Sequence, residues 1–301
     1  MTAIVSVTDL EKRFGETRAV DGVSFSIAEG EVYGLLGPNG AGKTTTISIV
    51  SCLLEPDAGT VIVNGHSARD DRLAVKSSLG VVPQEIALYP TLTAAENLSF
   101  WGRMYGLSGA TLKHAVDDAL DLAGLADRSK ERVEKYSGGM KRRINIAAGV
   151  LHKPKILLMD EPTVGIDPQS RNHILETVKG LNASGMTVLY TSHYMEEVEY
   201  LCDRIAIMDH GRVIAEGTLN QLRDVVGGMD VVTVKVDGLA DATLESARKI
   251  PGVERLDRTD DELQVITKSS GAILGVLVST LESAGAHIAS VSVREPDLES
   301  V

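Results

Sequence analysis

No run of residues in this chain approaches the roughly 18–20 consecutive apolar side chains that a membrane helix needs. Its first residues, Met1-Thr-Ala-Ile-Val, lack the basic start and long apolar core of a secretory signal. Together these two absences predict a protein that stays in the cytosol and reaches a membrane only through a partner. Basic residues are also in deficit: 30 Lys and Arg stand against 42 Asp and Glu, for a net charge of −12. That balance argues against nucleic acid as a partner, because a phosphate-backbone footprint needs clustered Lys and Arg. The one tight basic group, Lys141-Arg142-Arg143, reads as a solvated helix face. Cysteine is scarce, and Cys52 and Cys202 are far apart with no CxxC spacing. They read as two buried free thiols in a reduced compartment rather than as a disulfide or metal framework. Low-complexity segments, internal repeats and heptad runs are missing as well.

What is present is an ordinary globular composition, 43% hydrophobic and 24% charged over 301 residues, enough for one large domain and a small one. Up to about Leu222, short β-branched runs alternate with longer amphipathic stretches, the pattern of α/β architecture. Strands are expected at Val5–Leu10, Val23–Ile27, Val32–Leu36, Val61–Val63, Leu79–Val82, Ile156–Met159, Val188–Thr191, Ile205–Asp209 and Val213–Glu216. The Ala- and Leu-rich stretch from about Thr93 to Val150 reads instead as several helices inserted between two strands. Gly227-Gly228 marks a second change, predicting a cassette over residues 1–226 and a small accessory domain over 227–301. Beyond that pair the expected order is strand, helix, strand, strand, helix, strand, the βαββαβ arrangement of a ferredoxin-like domain. No clustered His, Cys or paired carboxylates occur there, so the chemistry belongs to the larger part.

That chemistry begins at Gly37-Pro38-Asn39-Gly40-Ala41-Gly42-Lys43-Thr44, which fits GxxxxGK[ST]. Glycines let the backbone wrap with its N–H groups inward, and the helix that starts there with Thr45 adds its positive end. Lys43 is expected to reach the β and γ phosphates of a nucleoside triphosphate, and the Thr44 hydroxyl to ligate Mg²⁺. The context agrees, with a strand-like run, Val32–Leu36, directly before the loop. A second buried-strand run ends in Asp160-Glu161-Pro162. Asp160 sits where such an enzyme holds Mg²⁺, and Glu161 where a general base would polarise the attacking water. Upstream, Tyr136-Ser137-Gly138-Gly139-Met140 opens a helix and offers a second set of N–H donors for an anion. On residues alone this SGG would read as a flexible linker. Two phosphate-binding ends far apart in one chain suggest a sandwich, with one nucleotide held between the loop of one copy and this motif of another.

In these motifs the chain resembles the ATP-binding-cassette (ABC) ATPases over roughly Ile4–Leu222. The Walker A loop is Gly37–Thr44, the Walker B strand is Ile156–Asp160 with Glu161 following, and the signature is Tyr136–Met140. Resemblance further implies a Q-loop at Gln84, a D-loop at Gly165-Ile-Asp167-Pro168, a switch histidine at His193 and an adenine-stacking aromatic at Phe14. Taken singly, Gln84 would be an unremarkable loop residue, His193 structural and Phe14 core. As family members they imply that Gln84 and Asp160 join Thr44 on Mg²⁺, and that His193 contacts the γ-phosphate and the attacking water. The same likeness implies a P-loop fold: a RecA-like core, an antiparallel β subdomain and a helical subdomain at about 93–150.

The signature departs from the common LSGGQ, with Tyr136 for Leu and Met140 for Gln, so the hydrogen bonds a Gln would offer the ribose are lost. That variant, the D-loop and the appended C-terminal domain look like the drug- and antibiotic-export ATPases that partner ABC-2-type permeases. The resemblance therefore implies an ATPase at the cytoplasmic face of the membrane. It would homodimerise on binding ATP and Mg²⁺ and would energise polytopic permease subunits, with residues 93–150 and the segment after Gln84 forming their docking groove. A cytosolic ABC ATPase acting on the ribosome or DNA is the alternative. Such proteins usually carry two cassettes, long coiled coils or zinc-binding cysteines. A non-hydrolytic ATP-gated scaffold would need Glu161 or His193 replaced, and both are present.

Overall fold

The computed structural model describes residues 3–226, 229–237, 241–259 and 262–294. The chain divides into two compact units, Met1–Leu219 and Asn220–Val301. The expected boundary at Gly227-Gly228 lies outside the described residues, as does the chain beyond Arg294.

The first unit opens with β1 (Ala3–Phe14), β2 (Thr17–Ala28), β3 (Val32–Leu36) and α1 (Lys43–Val50). Next come β4 (Ala58–Val63), the two-residue β5 (His66–Ser67), α2 (Arg72–Ser78) and β6 (Leu79–Val82). Three helices follow where a helical insertion is expected: α3 (Ala94–Met104), α4 (Gly109–Leu122) and α5 (Gly138–Val150). The unit finishes with β7 (Ile156–Asp160), α6 (Pro168–Ala183), β8 (Thr187–Ser192), α7 (Met195–Leu201), β9 (Arg204–Asp209) and β10 (Arg212–Gly217). β1 and β2 run well past the predicted spans. Their outer halves are mostly polar or partly exposed, with Val20 the buried exception, and antiparallel pairing such as Glu11↔Asp21 and Lys12↔Val20 keeps them extended where no apolar alternation marks a strand.

Two sheets result. An antiparallel sheet has the order β2-β1-β4-β5, and a six-stranded sheet the order β10-β9-β3-β8-β7-β6. In the second, β6, β7, β8, β3 and β9 are parallel, and β10 closes the edge antiparallel to β9. A parallel sheet is covered on both faces, so its strands read as unbroken apolar runs. β7 shows how this works. Ile156 and Leu158 face one core with Leu35, Ile49 and the inner residues of the antiparallel sheet, whereas Leu157 and Met159 face another with Ile174, Val178 and Val188. The strand thereby brings Asp160 to the carboxyl end of the sheet, level with Thr191 of β8 and Leu35 of β3, where open α/β sheets place ligands.

The helical insertion has its own core, in which Leu98, Leu112, Val116, Leu120, Ile144 and Leu151 are buried together. α3 is started by a capping box: the Thr93 hydroxyl accepts from the Glu96 amide while the Glu96 carboxylate accepts from the Thr93 amide.

In the second unit α8 (Leu219–Val226) leads to β11 (Asp230–Asp237), α9 (Asp241–Arg248), β12 (Val253–Thr259), β13 (Glu262–Thr267), α10 (Ser270–Ser283) and β14 (His287–Arg294). The strands form an antiparallel sheet in the order β12-β13-β11-β14. Alternate residues Val232, Val234, Leu263 and Val265 point to one face and are buried with Ile273, Leu277 and Leu281 of α10.

Candidate active site

Gly37–Gly42 joins β3 to α1 in a turn that only glycine permits at two points. Gly42 is left-handed (φ 105°), and a Cβ on it would lie 2.3 Å from the Ala19 carbonyl oxygen. Gly40 is also left-handed, at φ 83°. Lys43 opens α1 and is buried, with its ammonium donating to the Gly37 and Pro38 carbonyls at 2.6 and 3.0 Å. Thr46 donates back to the Gly42 carbonyl, while the Thr44 hydroxyl stands on an exposed residue at the same helix end.

Across from this loop, Lys43 Nζ lies 3.0 Å from Glu161 Oε1, and His193 Nδ1 lies 3.2 Å from Glu161 Oε2. Glu161 is itself buried and left-handed, at φ 44°. A non-glycine residue held in that region stores strain that its surroundings must offset. Here the offset includes a hydrogen bond from the Glu161 amide to Thr191 Oγ1 (2.9 Å), which in turn donates to Asp160 Oδ1 (2.8 Å). Lys43, Asp160, Glu161, Thr191 and His193, from three separate stretches of sequence, therefore meet at one place. Among the described residues no group of three or more His, Cys, Asp or Glu could hold a metal by itself.

The remaining site residues are placed around this centre. Gln84 is exposed, with its backbone carbonyl taken by Arg142 of α5; Arg142 also donates to the Pro83 carbonyl at 2.8 Å. This corrects the reading of Lys141–Arg143 as a solvated face. Arg142 is 4% exposed, and Arg143 donates to the Ala123 carbonyl at 2.7 Å. Two of the three cations hold backbone, because the helix face they occupy packs against the segments on either side. Cys52 and Cys202 are free thiols. Cys52 is buried, while Cys202 is only partly so and packs its sulfur against β3 at Gly34.

Ser137 caps α5 by accepting from the Met140 amide, and Gly139 packs so closely on α6 that a Cβ there would lie 2.0 Å from Ser170 Oγ. Asp167 caps α6 through the Ser170 amide, a bond that holds its carboxyl below the usual carboxylate range. Among the described residues no hydrogen bond joins Ser137, Gly138 or Gly139 to the phosphate loop. Phe14 is not core: it is 52% exposed at the tip of the β1–β2 hairpin, with Lys12 Nζ 5.9 Å from its ring centre.

The unusual signature residues are explained by a residue that sequence reasoning missed. The Tyr136 hydroxyl donates to the Arg128 carbonyl at 2.7 Å, and the Arg128 guanidinium lies over the Tyr136 ring and donates to Met140 Sδ at 3.4 Å. Glu197 was also missed, having no signal beyond lying four residues after His193. It is 2% exposed and gathers three hydroxyls from two segments around the site.

Residues 20–164 match the ABC transporter family model. The chain is 51% identical to the linearmycin resistance ATP-binding protein LnrL of Bacillus subtilis (strain 168), across 98% of this chain and 96% of that protein. It is 38% identical to the daunorubicin resistance ATP-binding protein DrrA3 of Streptomyces coeruleorubidus, across 99% and 94%. Among solved structures, an ATP-binding subunit of an ABC transporter superposes with a TM-score of 0.68 at 32% identity, covering 74% of this chain and 93% of that one. A dimeric ATP-binding cassette in a post-hydrolysis state with ADP and Pi gives 0.65 at 29%, covering 71% and 98%.

Proposed function

This chain belongs to the ABC transporter family of ATP-binding subunits, and from that premise we propose that it hydrolyses ATP to drive export of a drug, antibiotic or other hydrophobic compound through a separate ABC-2-type permease. ATP binding and hydrolysis follow from the family. The export reading is supported by the names of the relatives, which are resistance proteins over nearly the whole chain. The same likeness weighs against a ribosomal or DNA-directed role.

The observation that carries the catalytic reading is the buried Lys43–Glu161–His193 arrangement. Lys43 is satisfied by two carbonyls and one carboxylate, all of which phosphate oxygens can replace. As the β and γ phosphates take Lys43, Glu161 is released to orient and deprotonate the attacking water, with His193 beside it. Backbone N–H groups of Gly37–Thr45 hold the phosphates, and Phe14 offers an exposed ring to the adenine. Thr44, Gln84 and Asp160 present hydroxyl, amide and carboxylate oxygens, a donor set suited to Mg²⁺, which would neutralise charge between the β and γ phosphates. A second copy would complete each site by bringing Ser137–Gly139 onto the same ATP, giving a homodimer with two nucleotides.

The protein would act at the cytoplasmic face of the membrane, held there by the permease. Among the described residues no helix is long and apolar enough to cross a membrane. Residues 227–301 would form a ferredoxin-like accessory domain, separate from the cassette over residues 1–226. The test is Glu161→Gln: ATP should still bind while steady-state phosphate release falls at least about 100-fold, within the range a general base contributes. Near wild-type turnover in that variant would overturn the assignment of Glu161.

A further inference from the structure

We propose that Glu197 is a positioning residue for ATP hydrolysis, one carboxylate that holds the histidine-bearing loop, the segment after Glu161 and the helix after the D-loop in a single arrangement. The inference rests on the chain being an ATPase with Glu161 and His193 at its centre.

Glu197 lies in the first turn of α7 and is 2% exposed. A carboxylate so far from water is costly unless it is paired and hydrogen-bonded. Its Oε2 accepts from Thr163 Oγ1 at 2.8 Å, Tyr190 Oη at 2.9 Å and Ser192 Oγ at 3.0 Å. Its Oε1 faces Arg171 Nε of α6 at 3.5 Å. Each partner adjoins a residue of the site: Thr163 is two residues after Glu161, Ser192 immediately precedes His193, and Arg171 is four residues after Asp167.

The connections continue outward to the imidazole. Ser192 Oγ accepts from the Tyr194 amide at 2.9 Å, closing the turn that carries His193. The Arg171 guanidinium lies 5.0 Å from the Tyr194 ring centre, and that ring leans on the His193 imidazole with centroids 4.1 Å apart. His193 thus sits in a turn closed by the Ser192 hydroxyl and against the Tyr194 ring, and both connect to Glu197.

None of these contacts reaches the place where phosphate or water would react, so Glu197 acts through others. What sets this carboxylate apart is where its partners lie: β8, the turn after Glu161 and α6 are tied together through one group. Held by these bonds, the carboxylate serves as the common acceptor for β8 and that turn. The consequence is that the distance between His193 and Glu161 is set by a residue that touches neither of them.

The test is steady-state ATPase kinetics on the full chain, with wild type and Glu161→Gln as references. Glu197→Gln should lower kcat at least tenfold while KM for ATP changes less than twofold, because the phosphate loop is untouched. Ser192→Ala and Thr163→Val each remove one arm and leave the carboxylate in place, so they should fold even if Glu197→Gln does not. Each should lower kcat threefold or more at unchanged KM. Combining Ser192→Ala with Thr163→Val should cost clearly less than the product of the single effects, as expected of residues acting through one acceptor. The proposal is overturned if the folded arm variants keep wild-type kcat, if KM rises in step with the loss, or if the losses multiply. Wild type without turnover, or Glu161→Gln with full turnover, would instead overturn the ATPase reading on which it rests.

Discussion

His152 is a half-buried side chain from which a sensitivity to pH is expected. It stacks flat on Tyr105 with centroids 3.6 Å apart, and its Nε2 lies 2.9 Å from the Leu79 carbonyl oxygen. A carbonyl only accepts, so Nε2 carries the proton and the neutral ring suffices for the bond. Burial lowers the imidazole pKa below its ordinary value, against a smaller opposite pull from the Leu79 carbonyl. The unfolded chain therefore takes up the proton first as pH falls. The stability this residue contributes is complete above the ordinary imidazole range, near 6.5, and is lost below it as pH falls through the folded value. We predict that thermal stability drops between pH 7.5 and 5.5, and that His152→Gln, which keeps a donor for Leu79, drops less. Equal slopes would show that His152 does not report on this window. Also at this scale, Arg128 accounts for Tyr136 and Met140 as one packed group, something a comparison of signature letters does not reveal.

At the scale of elements, the decisive contact is the N-terminus of α5 against that of α6. Both helices start on side-chain caps, Ser137 and Asp167; the first was visible in sequence as a Ser before a helical pattern, whereas Asp167 entered only as part of the D-loop. That the two caps belong side by side was not visible, since thirty residues separate them and no periodicity links them. Gly139 is what lets them meet. An alanine there would place its Cβ 2.4 Å from Ser170 Cβ and 3.1 Å from Asp167 Oδ2. Ser170 is too short to swing aside, so Gly139→Ala should destabilise the protein by about 1–3 kcal/mol, the cost of overpacking. Chemical denaturation would measure it, and Ser170→Gly in the same chain should recover part of the loss. Full stability in Gly139→Ala alone would mean that α5 and α6 can separate without penalty. The same packing explains why Lys141–Arg143 misled: a basic run has no sign of its own that one member is inward, and only the fold puts Pro83 and Gln84 beside Arg142.

For the whole molecule, the expected behaviour follows from the proposed site, which each chain would only half build. Lys43, Glu161 and His193 meet within one copy, whereas Ser137–Gly139 makes no hydrogen bond to that copy's own phosphate loop. With hydrolysis blocked by Glu161→Gln, ATP should convert monomer to dimer in sedimentation, and ADP should not. A variant that stays monomeric in saturating ATP would argue against the shared site. Expressed from its native locus, the protein should also co-purify in detergent with a polytopic membrane protein encoded beside it; recovery with ribosomes instead would overturn the export reading.

The motifs that define the chemistry were legible in sequence because each is local: a glycine turn between a strand and a helix, an acidic pair ending an apolar strand, a serine before a helix. The α/β class was legible too, since strands buried on both faces must be continuously apolar. Resemblance then supplied roles for Gln84, Phe14 and His193, which carry no local signal of their own. What only the tertiary structure decided were the relations between segments far apart in the chain. These are the Lys43–Glu161–His193 contact, the Arg142 hold on the Q-loop backbone, the Arg128 group under the signature, and the convergence on Glu197. The Lys43 and Glu197 contacts depend on side chains brought together by the order of strands in the sheet, whereas the Arg128 group depends on how the chain before α5 folds back on itself. A single sequence shows which residues lie along a strand or helix, but not which strand will be its neighbour.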